Sequence, residues 1–232
     1  MCYNLSIMQH VRPYVAPTLN LDGVIFQLGK NGLEVLLARR PRDPFLGKWA
    51  LPGGYNAVGH TTKQALQDVA IDKAGVDIEA HIPYVEQLYT FDTVARDPRG
   101  HAVSVTYMGC GREIPIIKDA DTAAFFEVST LPDLAFDHAD IIAYGHERLR
   151  AKLGYTNAVY GLLPEHFTLT QLQNAYEAVL GRPLDKRNFR KKFLRLGLIH
   201  ETDKTWREGA HRPAKLYGFN SKSLESLSRS FD

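Results

Sequence analysis

Three side chains on one predicted helical turn, Val69, Asp72 and Lys73, decide what chemistry the N-terminal part of this chain can do. The spacing i, i+3, i+4 puts them on one face of a helix. Carboxylates at those positions would hold a divalent cation, a hard ion that takes oxygen ligands. Here the face carries an apolar, an acidic and a basic group, which makes a poor magnesium site. Asp68 and Asp72, at i and i+4, would make at most a weak residual metal site. A second concentration of chemistry is residues 185–196, Asp-Lys-Arg-Asn-Phe-Arg-Lys-Lys-Phe-Leu-Arg-Leu. Phe189, Phe193 and Leu196 form an apolar stripe at helical spacing. Lys186, Arg187, Asn188, Arg190, Lys191 and Arg195 surround its outward side. An apolar face for anchorage and a row of donors is what a helix needs to enter a DNA groove. The alternative is a solvated basic face. Arg212 and Lys215 add cations that would clamp a DNA backbone or enter a minor groove, or else decorate a surface turn.

The elements that must position these groups are legible from period and punctuation. Residues 18–28 and 33–39 read as strands around an Asn31-Gly32 turn, a hairpin entering a mixed sheet. Residues 40–54 are a loop and short strand ending in Pro52-Gly53-Gly54, where the glycines give backbone freedom for a tight turn. Ala65, Leu66, Val69 and Ala70 recur at helical spacing, and Gly75 is a stop. Residues 81–92, 102–110 and 121–128 read as further strands, with a charged turn at 96–100. Residues 137–153 are an amphipathic helix ended by Gly154. Beyond it, Thr168 or Thr170 caps a helix that stops at Gly181, and Asp185 caps the basic helix. Two short strands, 198–201 and 215–219, follow around the connector 202–214. Helix, turn, helix, hairpin is the order of a winged helix-turn-helix, and also suits a small helical cap.

Bulk properties narrow the classes. Net charge is only +2, but residues 160–232 carry 13 Lys and Arg against 8 Asp and Glu, while residues 1–159 carry 15 against 18. A basic C-terminal module facing an acidic N-terminal one suits a phosphate-bearing partner. Two cysteines, Cys2 and Cys110, give neither a disulfide framework nor a metal pattern, which fits a reducing cytoplasm. No signal peptide and no apolar run of membrane-spanning length is seen.

Residues 52–76 resemble the Nudix box, the loop and helix that carry metal-bound diphosphate chemistry. Gly54, Gly75 and Val76 keep its frame, but His60, Val69 and Lys73 replace glutamates of the pattern. With residues 181–190 and 212–217, and with Gln87-Leu88-Tyr89-Thr90-Phe91 and Arg96-Asp97-Pro98-Arg99, the chain resembles the NrtR family of Nudix-related transcriptional regulators. The resemblance implies an α/β Nudix-like mixed-sheet sandwich domain (1–154) that senses an effector, and a C-terminal winged helix-turn-helix domain (155–232). It implies a cytoplasmic homodimer on a palindromic double-stranded DNA operator, repressing genes of NAD metabolism and answering to ADP-ribose. A regulator of sugar utilisation and an active ADP-ribose hydrolase are the alternatives. The altered box leads us to expect no enzyme, no catalytic residue, no bound metal and no cofactor. Effector candidates, on chemistry and position, are Arg39, Trp49, Lys73, Tyr89, Phe91 and Arg96: arginines for a diphosphate, aromatic rings for adenine. Lys73 would stand in for the cation, or else simply pair with Asp72 or Asp77. Trp49 would stack on a ligand ring, or else lie in the core.

Overall fold

The structure, a computed structural model, describes residues 14–206 and 213–226. Arg212 and the lead-in before Pro13 lie outside the described residues.

Alternation along β1 (Thr18–Leu28) sets up two cores. Leu21 and Ile25 point to one face of the strand, Val24 and Phe26 to the other, and all four are fully buried. β1 pairs antiparallel with β2 (Leu33–Arg39) and parallel with β6 (Ala102–Cys110). The sheet runs β3 (Trp49–Ala50), β2, β1, β6, β5 (Tyr84–Phe91), with β4 (Gly53–Tyr55) on β1 and β7 (Ala123–Glu127) on β2. Helix α1 (Thr62–Ala74) covers the Leu21–Ile25 face through Ala65, Leu66 and Ala70. Helix α3 (His138–Tyr155) covers the Val24–Phe26 face through Ile141, Ile142 and Leu149. The expected mixed-sheet sandwich is present. A single-turn helix α2 (Ile78–His81), capped by Asp77, occupies the start of the segment read from the sequence as strand.

The helix ends follow the side chains that suit them. α1 begins with a capping box, Thr61 accepting from the Gln64 N–H and Gln64 accepting from the Thr61 N–H, and stops at Gly75 with φ of 67°. α4 (Leu169–Leu180) repeats the device with Thr168, Gln171 and Gly181. Asp185 caps α5 (Lys186–Arg195), accepting from the Asn188 N–H at 2.8 Å. β8 (Ile199–Trp206) and β9 (Ala214–Phe219) form the wing. β8 extends well past residue 201 into what the sequence suggested was connector. The order α4, α5, β8, β9 is the winged helix-turn-helix, packed around Tyr176, Phe189 and Phe193.

The two units meet along a shared core, beside an open cleft between residues 28–33 and the end of α4. One apolar cluster runs from the sheet through α3 to Leu172, Tyr176, Val179 and Phe193. His146 of α3 adds a polar tie, its Nε2 lying 2.7 Å from the Val179 carbonyl oxygen of α4. Phe193 is fully buried between Tyr176 and Phe189. Truncating it leaves a cavity under α5, and Phe193→Ala should destabilise the protein by about 3–5 kcal/mol in denaturant unfolding. A loss below about 1 kcal/mol would mean that the packing around α5 is not as described.

Candidate functional site

The first half of β1, the β2–β3 loop, the Gly53-Gly54 turn, the 96–99 loop and the start of α3 meet at a polar cavity of about 70 Å³. Its walls include Asp22, Arg40, Tyr55, Arg96, Asp97, Arg99, Phe136 and His138. Asp22 shares the parity of Val24 and Phe26, so it faces α3 from inside the sandwich. Its Oδ2 accepts from the Ser104 hydroxyl at 2.5 Å and lies 3.5 Å from the Arg96 Nη2. Arg96 is buried and forked: Nε and Nη2 donate to the two Asp137 carboxylate oxygens at 2.9 and 2.8 Å. Such a bidentate pair fixes geometry as well as charge. His138 accepts the Leu51 N–H on Nδ1 at 2.8 Å, so its proton is on Nε2, 3.6 Å from Asp22 Oδ1. Burial holds that imidazole neutral, pushing its pKa down to about 3. Burial also pushes the Asp22 carboxyl up to about 6, against the opposite pull of Ser104 and Arg96.

The mouth is cationic and aromatic. The Arg40 guanidinium lies 4.6 Å from the Phe136 ring centroid, and that of Arg99 5.6 Å from it. Arg99 is neutralised by Asp97 and also donates to the Tyr55 hydroxyl. Arg40 donates to the Pro44 carbonyl and has no carboxylate partner among the described residues. Burial, and then the nearby Arg99 charge, lower its pKa, against the opposite pull of Asp97 and Tyr55. Phe136 has φ of 55°, a backbone conformation that costs a residue with a side chain and collects at functional sites.

Of the six effector candidates named from the sequence, Arg96 lines this cavity. Arg39, one strand position from Arg40, points outward and donates to the Gly47 carbonyl. Trp49, half-buried, packs edge-on against Phe126 at 4.7 Å, against the flank of the core. Tyr89 and Phe91 gather with Tyr144 of α3, away from the cavity walls. Lys73 pairs with Asp72 at 2.7 Å and lowers that carboxyl's pKa. The remaining wall residues were missed. Asp22, an acid inside an apolar strand, was the signal available in the sequence.

The face of α1 that carries positions 69, 72 and 73 is taken up by packing and an ion pair. Val69 is buried, and a Cβ on Gly54 would come within 3.0 Å of its methyl group. Asp68 is held by His60 at 2.7 Å, and Asp72 by Lys73. Among the described residues no three His, Cys, Asp or Glu side chains converge as a metal site.

At the other end, α5 exposes Lys186, Arg187, Asn188, Lys191 and Arg195 and buries Phe189 and Phe193. Arg190 is half-buried, with Nη2 donating to Thr170 at 2.9 Å. Lys215 lies on the wing, paired with Glu201 at 2.5 Å.

The NrtR DNA-binding winged helix domain matches residues 159–219. The ADPR responsive transcriptional repressor NtrR of Acinetobacter baylyi is 36% identical over 215 residues, 89% of this chain and 83% of that relative. The chain belongs to the NrtR family of Nudix-related transcriptional regulators. Crystallised Shewanella oneidensis NrtR in complex with a 27mer DNA is 30% identical with a TM-score of 0.76, covering 92% of this chain and 99% of that one. Its NUDIX domain complexed with ADP ribose is 33% identical with a TM-score of 0.51, covering 59% and 90%. An ADP-ribose pyrophosphatase of Methanocaldococcus jannaschii is 36% identical over 138 residues, 58% of this chain and 76% of that enzyme. NrtR-family membership thus joins a regulator's architecture to a domain shared with hydrolases. Among the described residues no helix is long and apolar enough to cross a membrane.

The buried acid gives a pH signature. Asp22 ionises near 3.8 when unfolded and near 6 when folded. Between those values the folded state holds the extra proton, so this group's contribution to stability falls as pH rises. Relative to the parent protein, Asp22→Asn should gain about 2 kcal/mol between pH 4 and pH 7 in denaturant unfolding. A difference independent of pH would show that Asp22 ionises normally.

Proposed function

We propose that this chain is a DNA-binding transcriptional repressor whose Nudix-like domain takes ADP-ribose as an effector and does not hydrolyse it. The observation that carries the reading is the replacement of a metal face by Val69 and the Lys73–Asp72 pair, beside a cavity walled by Arg40, Arg96 and Arg99. Arginine neutralises a diphosphate through fixed forked donors, and binding then needs no cation. Arg40, without a carboxylate, is the group that gains most from an arriving phosphate. Tyr55 and Phe136 offer ring surface to a base or sugar. Asp22 and the Nε2–H of His138 offer an acceptor and a donor to hydroxyls at the cavity floor. The relatives that answer to or bind ADP-ribose support this choice of effector.

On the same reading the winged helix holds duplex DNA. α5 lies in the major groove, and Lys186, Arg187, Asn188, Lys191, Arg195, Arg212 and the wing's Lys215 meet bases and phosphates. A homodimer would place two such helices about 34 Å apart on a palindromic operator, regulating genes of NAD metabolism. The effector signal has a physical route. Asp137 at the start of α3 holds Arg96 in the cavity, and the same helix packs on α4 through the His146–Val179 contact. A phosphate that draws Arg96 away from Asp137 shifts the balance between two α3 placements, and only a ligand with different affinity for the two does so.

Calorimetry with ADP-ribose in the presence of EDTA should show saturable binding, and Arg40→Ala should weaken it about tenfold or more, one charge-assisted contact being worth about 1.5–3 kcal/mol. Incubation with magnesium should release no AMP. Brisk release of AMP, or no heat with ADP-ribose, would overturn the reading.

A further inference from the structure

Helix α5 divides its outward residues into two kinds, and one of them is not a cation. Phe189 and Phe193 mark the buried side. Arg187, Lys191 and Leu194, at i, i+4 and i+7, lie on the opposite side. Leu194 is 47% exposed, although α5 could have closed this face with another polar group. Arg187 and Lys191 form no ion pair among the described residues, whereas the wing's Lys215 is paired with Glu201. The centre of the face is therefore two unpaired cations around one large apolar side chain.

Arg190 stands at the edge. Its Nη2 is committed to Thr170 in the first turn of α4, and its buried Nε has no hydrogen-bond partner. A half-buried guanidinium tied beside a helix N-terminus suits a phosphate oxygen rather than a base edge.

We infer that Leu194 packs against the C5-methyl group of a thymine in the major groove, with Arg187 and Lys191 on neighbouring base edges, while Arg190 grips a backbone phosphate. This rests on the DNA-binding reading above and adds to it which residues confer sequence preference. The occupant follows from chemistry. A face this cationic attracts a polyanion, and in the major groove the apolar feature of a base edge is the thymine methyl. A leucine there discriminates through burial of that methyl, without any hydrogen bond.

The test uses the full-length protein. Duplexes are first selected from a randomised pool, then each thymine of the selected sequence is replaced singly by uracil, which removes only the methyl. The parent protein should lose about fourfold in affinity at one position, as expected for about 0.8 kcal/mol per buried methylene-sized group. Leu194→Ser should bind thymine and uracil duplexes alike at that position, and Leu194→Met should keep the preference. Arg190→Ala should weaken all duplexes evenly and reduce the salt slope by about one. A parent protein indifferent to every uracil, or a Leu194→Ser variant that still distinguishes them, overturns this inference and leaves DNA binding standing. Failure to enrich any duplex overturns both.

Discussion

A buried arginine between two carboxylates is the constraint on which the rest of the structure depends. Arg96 is held by both oxygens of Asp137 and lies within 3.5 Å of Asp22. Removing one partner from such a set would leave a buried charge uncompensated, a cost of several kcal/mol. The network therefore pins three parts of the chain to one another: strand β1, the 96–99 loop and the residue that leads into the long helix. His138, the next residue, adds the Leu51 amide and so the glycine turn. A ligand that contributes negative charge here enters a balance already set among neighbours, and any rearrangement is felt at the head of α3.

The same helix packs into both modules. At about 1.5 Å per residue, eighteen residues carry α3 roughly 27 Å from the polar cavity to the winged helix. Its apolar face contributes to the sheet core at one end and to the α4–α5 core at the other. Packed cores switch between discrete arrangements rather than deforming smoothly, so a change at Asp137 need not be large to move α5. On the far side of the Gly53-Gly54 turn, Val69 is packed under Gly54 and Asp72 is paired with Lys73, and on the proposed reading such a site holds a diphosphate without activating it.

How much of this was legible in the sequence depended on distance along the chain. Local devices were readable: the Gly75 and Gly181 stops, the Thr168 and Asp185 caps, and the amphipathic pattern of α5 all lie where the residue types put them. The cavity was not, because Asp22, Arg40, Arg99 and His138 come from segments up to about a hundred residues apart, and no periodicity links them. One near miss lies at a strand end, since Arg39 closes β2 and it is Arg40, just beyond it, that lines the cavity. Trp49 and the Tyr89–Phe91 pair show the other weakness. An aromatic residue suits a ligand ring and a core equally, and its neighbours, here Phe126 and Tyr144, are invisible until the chain folds.

The central claim is that the Arg96–Asp137 link couples the cavity to the DNA-binding helix. Fluorescence anisotropy of a duplex from the protein's own promoter region, titrated with and without saturating ADP-ribose, tests it directly when run on the parent protein and on Asp137→Asn. The account predicts at least tenfold weaker DNA binding with ADP-ribose for the parent and a much smaller change for Asp137→Asn, although both bind DNA without effector. Equal DNA affinities with and without ADP-ribose in the parent, or undiminished coupling in Asp137→Asn, would contradict it.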